Sequence, residues 1–330
     1  MTVGPIAFPR ASELFQDDVF APVGGILAQP VFVKIEALNA AGSVKIKTAL
    51  NLINTMEAEG HIFPHSKIIE SSSGNLGVAL SMICAGRGYP FTCVVDPNAS
   101  PRNIKIMEAL GARIVMITKL DENGGYLGSR IQYIKQLLAE DPAYVWTNQY
   151  ANPANAEAHR RWTAASIDNR FPRLDYLFIG AGTTGTLMGC VKHFRTHRPD
   201  VKIVAVDAAG SVTFGRPPGK RYIPGLGTSR RPEIFDPAGL HAMETVSERD
   251  AIGMCRYLAR HQGFLAGGST GTVLAAVLAW KPRLPKDAIV GAISPDLGER
   301  YLDTIYNDDW VKAHFGDVPS LRFSSAATAA

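Results

Sequence analysis

Short apolar, β-branched runs recur along this chain, and a longer segment with helical spacing follows almost every one. Strands are predicted at 31–37, 68–70, 91–95, 113–117, 144–146, 176–179, 203–206 and 288–293. Helices are predicted at 45–59, 76–85, 101–110, 128–140, 154–170, 185–198, 248–261 and 272–279, several stopped by glycines such as Gly60 and Gly111. Repeated βα units imply α/β architecture, with mainly parallel sheets covered by helices. Ligands of such sheets bind beyond the carboxyl ends of strands, where loops meet helix starts. One segment, 208–236, breaks the rhythm. It is rich in Gly, Pro and basic residues, and a loop of that length is expected to be functional.

With 330 residues the chain has room for about two domains. Its 46% hydrophobic and 19% charged residues exclude a disordered chain. The net charge of +4 is too small to indicate a nucleic-acid partner but suits an anionic small molecule. The longest apolar stretch, near 273–280, falls well short of the ~20 residues of a membrane span. The first ten residues lack the charged-then-apolar pattern of a signal peptide. Cys84, Cys93, Cys190 and Cys255 sit singly in apolar stretches and read as buried free thiols, so a cytoplasmic location is expected.

Four loops carry chemistry. Gly180-Ala-Gly-Thr-Thr-Gly-Thr186 follows a strand and opens a helix; its glycines, free helix N–H groups and threonine hydroxyls form an anion cradle. It lacks the Lys-Ser/Thr ending of a Walker loop and does not fit a dinucleotide fingerprint. Leu38-Asn-Ala-Ala-Gly-Ser-Val-Lys45 puts a lysine in the first turn of a helix, where the positive helix end favours the neutral, nucleophilic amine. A surface lysine is the plainer reading of that feature alone. Glu70-Ser-Ser-Ser-Gly-Asn-Leu-Gly77 offers Ser72, Ser73, Gly74 and Asn75 at a helix start, suited to a carboxylate, although a simple N-cap would look similar. Gly267-Gly-Ser-Thr-Gly-Thr272 is a further donor-rich turn. The i,i+4 pairs His61/His65 and His193/His197 lack the Glu of a zinc-protease motif, and no metal site is expected.

In this order and spacing, with Pro295-Asp-Leu-Gly-Glu-Arg-Tyr301, these loops resemble the cysteine synthase and cystathionine β-synthase family of pyridoxal-phosphate enzymes, fold type II. The resemblance implies two domains, each with a mainly parallel sheet flanked by helices, and the cofactor in the cleft between them. Residues 1–41 and 148–316 would form the larger domain and 42–147 a smaller, mobile one, with 317–330 a disordered tail. Lys45 would form the Schiff base with pyridoxal 5'-phosphate. Asn75 would bond the cofactor's ring hydroxyl; Gly182, Thr183, Thr184, Gly185 and Thr186 would hold its phosphate; Ser269 would face its pyridine nitrogen. Ser72, Ser73, Gly74, Asn75 and Gln149 would hold the substrate carboxylate. The family also implies a homodimer. The chain departs from the family at Ala40, where the family has Pro, at Ile46-Lys47, where it has Asp-Arg, and at Gly24-Gly-Ile-Leu-Ala28, where it has a Gly-x-Thr-Pro motif.

A serine at the pyridine nitrogen keeps the ring a modest electron sink, suited to β-replacement through an α-aminoacrylate. Within the family, Cys93-Val-Val-Asp-Pro97, Gly124-Gly-Tyr-Leu127 with Arg130, Asn148-Gln-Tyr-Ala-Asn152 and Pro224-Gly-Leu-Gly-Thr-Ser-Arg230 resemble the branch that joins O-phospho-L-serine to L-glutamate, toward 2,3-diaminopropionate for siderophores or antibiotics. Arg130 and Tyr150 are then candidates for the phosphate leaving group or the second substrate, and Ser229 and Arg230 for an acidic acceptor. A cysteine or cysteate synthase using sulfide or sulfite, a serine/threonine dehydratase and a non-catalytic binding protein stay open.

Overall fold

The computed structural model describes residues 10–122, 124–317 and 321. The expectations for the first residues and, apart from 317 and 321, for the tail lie outside them. In chain order the strands and helices are β1 (Phe20–Val23), β2 (Val31–Ile35), α1 (Lys45–Ala58), β3 (Lys67–Ser71), α2 (Asn75–Arg87), β4 (Phe91–Val95), α3 (Pro101–Ala109), β5 (Arg113–Met116), α4 (Leu127–Glu140) and β6 (Tyr144–Trp146). There follow α5 (Ala154–Ala158), α6 (Ala165–Arg170), β7 (Tyr176–Gly180), α7 (Gly185–His197), β8 (Lys202–Ala208), β9 (Ala242–Val246), α8 (Glu248–Gln262), α9 (Gly268–Trp280), β10 (Val290–Ser294) and α10 (Asp308–Phe315).

The strands form two sheets among the described residues, ordered β1-β2-β10-β7-β8-β9 and β5-β4-β3-β6. All pairings are parallel except β1 with β2. The physical reason is visible in the central strands, such as β4 and β10, which are buried on both faces and need a helix on each. Val204 and Val206 of β8 pack toward Leu258 of α8 and Leu274 of α9. The alternate residues Ile203 and Ala205 face Leu187 and Phe194 of α7 on the other side. In the smaller sheet Ile68 and Cys93 join a core with α1 and α2, while Ile69 and Val94 pack with Ile134 of α4.

Three elements were not predicted. β1 and β9 are edge strands with mixed burial, and β1 contains Pro22, so neither shows a clean apolar run. Helix α10 is a short helix capped by Asn307, whose side chain accepts the Trp310 N–H. The predicted helix at 154–170 is one continuous run, but its middle, His159–Ala164, is a π-helical turn. The last predicted helix starts four residues early, at Gly268, so Ser269 lies within its first turn.

The Ile46-Lys47 departure has a structural answer. Ile46 is core. Lys47 is buried and forms an ion pair with Glu36 at 2.7 Å and another with Asp17, while Lys34, equally buried, is 3.0 Å from Asp17. Burial pushes the Asp17 carboxyl up, but the two lysines outweigh it and hold the carboxyl below its usual value. Removing one member of a buried charge group leaves the rest unpaired, at about 3–5 kcal/mol. Glu36→Gln should therefore lower the stability to denaturant by about that amount. A loss under about 1 kcal/mol, the range of exposed pairs, would contradict a buried network.

Candidate active site

The loops after β3, β6 and β7 and the turn that opens α9 converge on one cleft of about 790 Å³ beyond the carboxyl ends of the two sheets. That volume lies in the range of cofactor and substrate pockets. Lys45 is the first residue of α1. The turn before it is set by Asn39, whose Nδ2 donates to the carbonyls of Glu36 and Ser43 at 2.8 and 3.0 Å. Val44 N–H donates to the Pro295 carbonyl at 2.8 Å, which fixes the lysine against the larger sheet. Lys45 Nζ donates to Thr183 Oγ1 at 3.3 Å. Burial pushes the amine down to about 8, with the charge of Glu70 pulling in the opposite direction. Burial is a cause that the sequence did not reveal, since only the helix start was legible there.

Across the cleft, the β7–α7 turn is shaped for close approach. Gly182 is pinned because a side chain there would come within 2.8 Å of the Gly225 carbonyl. Thr184 adopts a left-handed backbone with φ of 66°, uncommon for a β-branched residue, and its buried Oγ1 has no hydrogen-bond partner. Thr183 Oγ1 accepts from Asn155 Nδ2 at 3.1 Å. Behind Thr186, His159 Nε2 meets the Thr186 and Thr48 hydroxyls at 3.3 and 3.0 Å. Burial, with Lys47 and Lys45 adding to it, holds His159 well below the usual imidazole value, so the ring is neutral. The sequence reading missed Asn155 and His159. The π-helical turn that begins at His159 is the feature that seats the ring, and such turns recur at functional sites.

The β3–α2 loop is braced from below and from the side. Buried Glu70 accepts four hydrogen bonds, from Ser71 N–H, Trp146 Nε1, Thr147 Oγ1 and Gln149 N–H, at 2.6–3.2 Å. Burial pushes its carboxyl up. Ser72 Oγ accepts from Gly77 N–H at 3.0 Å. Asn75 Nδ2 donates to Asp296 Oδ2 at 2.8 Å, Tyr301 donates to the same oxygen at 2.6 Å, and Arg300 donates to Asn75 Oδ1. The 295–301 motif, which carried no assigned role, is thus the clamp on Asn75. Gln149 Nε2 donates to the Ser71 carbonyl at 3.3 Å, and Asn148 before it takes a φ of 45°.

Arg130 of α4 is buried. Its Nη1 donates to Ser73 Oγ at 3.0 Å and its Nη2 lies 3.4 Å from Asp96. Ser73 in turn donates to Asp96 at 3.1 Å. Ser72, Ser73, Gly74, Asn75, Arg130, Gln149, Tyr150, Gly182, Thr183, Thr184, Gly185, Thr186 and Ser269 all line the cleft with Lys45. Ser229 and Arg230 do not. Arg230 is half exposed, and its guanidinium is tied to Glu233 three residues on. The residues of this segment that do face the cleft are Lys220, Arg221, Tyr222 and 224–228. An irregular loop has no period from which a side chain's direction can be read, and that is why the sequence did not show which of its arginines lines the cleft. Among the described residues no group of three or more His, Cys, Asp or Glu could hold a metal, and no helix is long and apolar enough to cross a membrane.

A family profile described as "Pyridoxal-phosphate dependent enzyme" matches residues 21–296. An N-(2-amino-2-carboxyethyl)-L-glutamate synthase of Ralstonia nicotianae is 44% identical over 282 residues, covering 85% of this chain and 83% of that protein. A protein of the same name from Cupriavidus metallidurans is 44% identical over 285 residues, covering 85% and 84%. Among solved structures, O-ureido-L-serine synthase superposes with a TM-score of 0.84 at 32% identity, covering 93% of this chain and 99% of that one.

The residues fit the cofactor of that family. A desolvated lysine amine faces a helix start whose buried threonine hydroxyl lacks a partner, and glycine leaves room for a phosphate. Borohydride reduction of the protein with pyridoxal phosphate should label Lys45, and Lys45→Ala should lose both the label and the yellow colour while remaining folded. Because the folded amine loses its proton near pH 8, the rate at which apoprotein captures the cofactor should rise with pH and be half-maximal near that value. A midpoint near 10, the value of an ordinary lysine, or label on another lysine, would contradict the assignment.

Proposed function

This chain belongs to the pyridoxal-phosphate dependent enzymes, and from that premise we propose that it joins O-phospho-L-serine to L-glutamate, releasing phosphate and forming N-(2-amino-2-carboxyethyl)-L-glutamate. The observation that carries the reading is a buried arginine, Arg130, bonded into the same loop that faces the Lys45 amine. A fixed cation in the lining of the cleft supports a phosphate-bearing donor. The relatives' shared name supports glutamate as the second substrate.

When bound, pyridoxal phosphate supplies the electron sink that makes the donor's Cα proton acidic and lets its β-substituent leave. The chain's own residues do the rest. Gly182, Thr183, Thr184, Gly185 and Thr186 would hold the cofactor phosphate, and Ser269 would offer the ring nitrogen a hydroxyl instead of a carboxylate. Asn75, clamped by Asp296 and Arg300, would bond the cofactor's ring hydroxyl. Ser72, Ser73, Gly74, Asn75 and Gln149 receive the donor's carboxylate. Lys45, whose amine is held near 8, takes the proton from Cα. Arg130 and Tyr150 receive the phosphate. Burial raises the Tyr150 hydroxyl, so it stays protonated and can donate. Cβ then loses its C–O bond to phosphate and gains a C–N bond to the glutamate amine, which gives up a proton as Lys45 returns one to Cα, and which must be positioned to compete with water.

By the same reading the enzyme is a cytoplasmic homodimer whose product feeds 2,3-diaminopropionate for a siderophore or peptide antibiotic, and residues 42–147 move as a unit against 1–41 and 148–316. A monomer in sedimentation at micromolar concentration would contradict the dimer. The substrate reading is tested by competition. Holoenzyme given O-phosphoserine should release phosphate in step with glutamate consumption, with little pyruvate. Arg130→Lys, which keeps the charge beside Asp96 but loses the fork, should weaken O-phosphoserine about tenfold relative to O-acetylserine. If sulfide outcompetes glutamate by far, or pyruvate forms without an acceptor, a sulfide-using synthase or a dehydratase replaces this reading.

A further inference from the structure

The cleft holds several cations, and they differ in what already occupies them. Lys45 bonds to Thr183. Arg130 is engaged by Ser73 and Asp96. Arg300 is engaged by Asn75 and, at 2.5 Å, by the Ala41 carbonyl. Lys220 extends over the Tyr222 ring, 4.7 Å from its centroid. Arg221 stands apart. It is half-buried, lines the cleft and forms no ion pair among the described residues, yet its side chain is firmly placed. Its Nη1 donates to the Gly210 carbonyl. Its Cδ and Nε pack over Gly227, where even a methyl group would come within 2.9 Å of both atoms.

The charges of Asp207 and Glu248 act on Arg221, but neither carboxylate forms an ion pair with it, and each is held by other donors. Glu248 accepts the Tyr222 and Ile223 N–H groups at 2.6–3.1 Å. Asp207 accepts the Ala208 N–H at 2.8 Å, and burial pushes its carboxyl up to about 6. Arg221 and Arg130 both act electrostatically on the buried Tyr150 hydroxyl. A guanidinium that is desolvated, oriented by the backbone and without a direct ion pair is a receptor for a carboxylate, which it can take with two hydrogen bonds.

We propose that Arg221 selects the acceptor by gripping the side-chain carboxylate of L-glutamate. The proposal rests on the substrate reading above and gives the 208–236 segment its role. Of the candidates on that segment, Arg221 faces the cleft with an open guanidinium, and Arg230 is taken up by Glu233. Glutamate's distal carboxylate then completes a charge-assisted pair that glutamine and 2-aminobutyrate cannot make.

The test uses holoenzyme, O-phosphoserine as donor and four acceptors: glutamate, glutamine, 2-aminobutyrate and sulfide. The wild type should prefer glutamate, and Arg221→Gln should raise the glutamate half-saturation about ten- to hundredfold while glutamine changes little, closing the gap between them. Arg221→Lys should recover part of the preference. A gap that survives in Arg221→Gln overturns the role of Arg221 and leaves the glutamate reading standing. A wild type that uses sulfide but not glutamate overturns both. Should Arg221→Gln fail to fold, Arg221→Lys decides alone, because an ammonium cannot replace the fork and undiminished glutamate selectivity would refute the assignment.

Discussion

The hydrogen bond from Asn75 to Asp296 joins the loop above the smaller sheet to the segment that leaves the larger one. The cleft depends on that join. Asp296 is fully buried, and burial pushes its carboxyl up. It is tolerable there only because Asn75 and Tyr301 donate to it and Arg300 lies close by. The same segment takes the Val44 N–H on Pro295, so the turn that aims Lys45 and the loop that would hold a carboxylate are anchored to one short stretch of chain. Glu70 performs the equivalent service inside the smaller sheet, tying the ends of β3 and β6 together through four donors.

From this framework follows a division of charge. Each cation in the cleft is placed by the fold, but to a different degree of completion. The Lys45 amine is desolvated and kept from full protonation, which suits a nucleophile and base. Arg130 is partly neutralised by Asp96, a arrangement that fixes its direction at the cost of some affinity. Arg221 is held by the Gly210 carbonyl and by packing against Gly227, and it forms no ion pair among the described residues. The buried group of Lys34, Lys47, Glu36 and Asp17 lies outside the cleft lining and acts on packing, since its charges balance among themselves.

Much of this was legible in the residues. Phe91–Val95 and Tyr144–Trp146 announced themselves as strands through apolar, β-branched and aromatic content, and the Gly/Ser/Thr loops marked strand ends that the structure brings to one cleft. Elements at the rim were harder. β9 alternates exposed and partly buried residues, and Pro22 disguises β1. Roles that depend on partners distant in sequence were not legible at all. Nothing local in 295–301 says that Asp296 clamps Asn75, or that His159 turns toward Thr48 and Thr186. Arg230 and Arg221 look alike in a basic loop; only the fold gives one to Glu233 and the other to the cleft.

The central claim is that this cleft makes a carbon–nitrogen bond between the donor's β-carbon and the acceptor's amine. The direct measurement is nuclear magnetic resonance of a reaction of holoenzyme with O-phospho-L-serine labelled with carbon-13 at Cβ and L-glutamate labelled with nitrogen-15. A one-bond carbon–nitrogen coupling should appear in the product as phosphate is released. Labelled pyruvate with no such coupling, or a labelled carbon that joins only to added sulfide, would contradict the account.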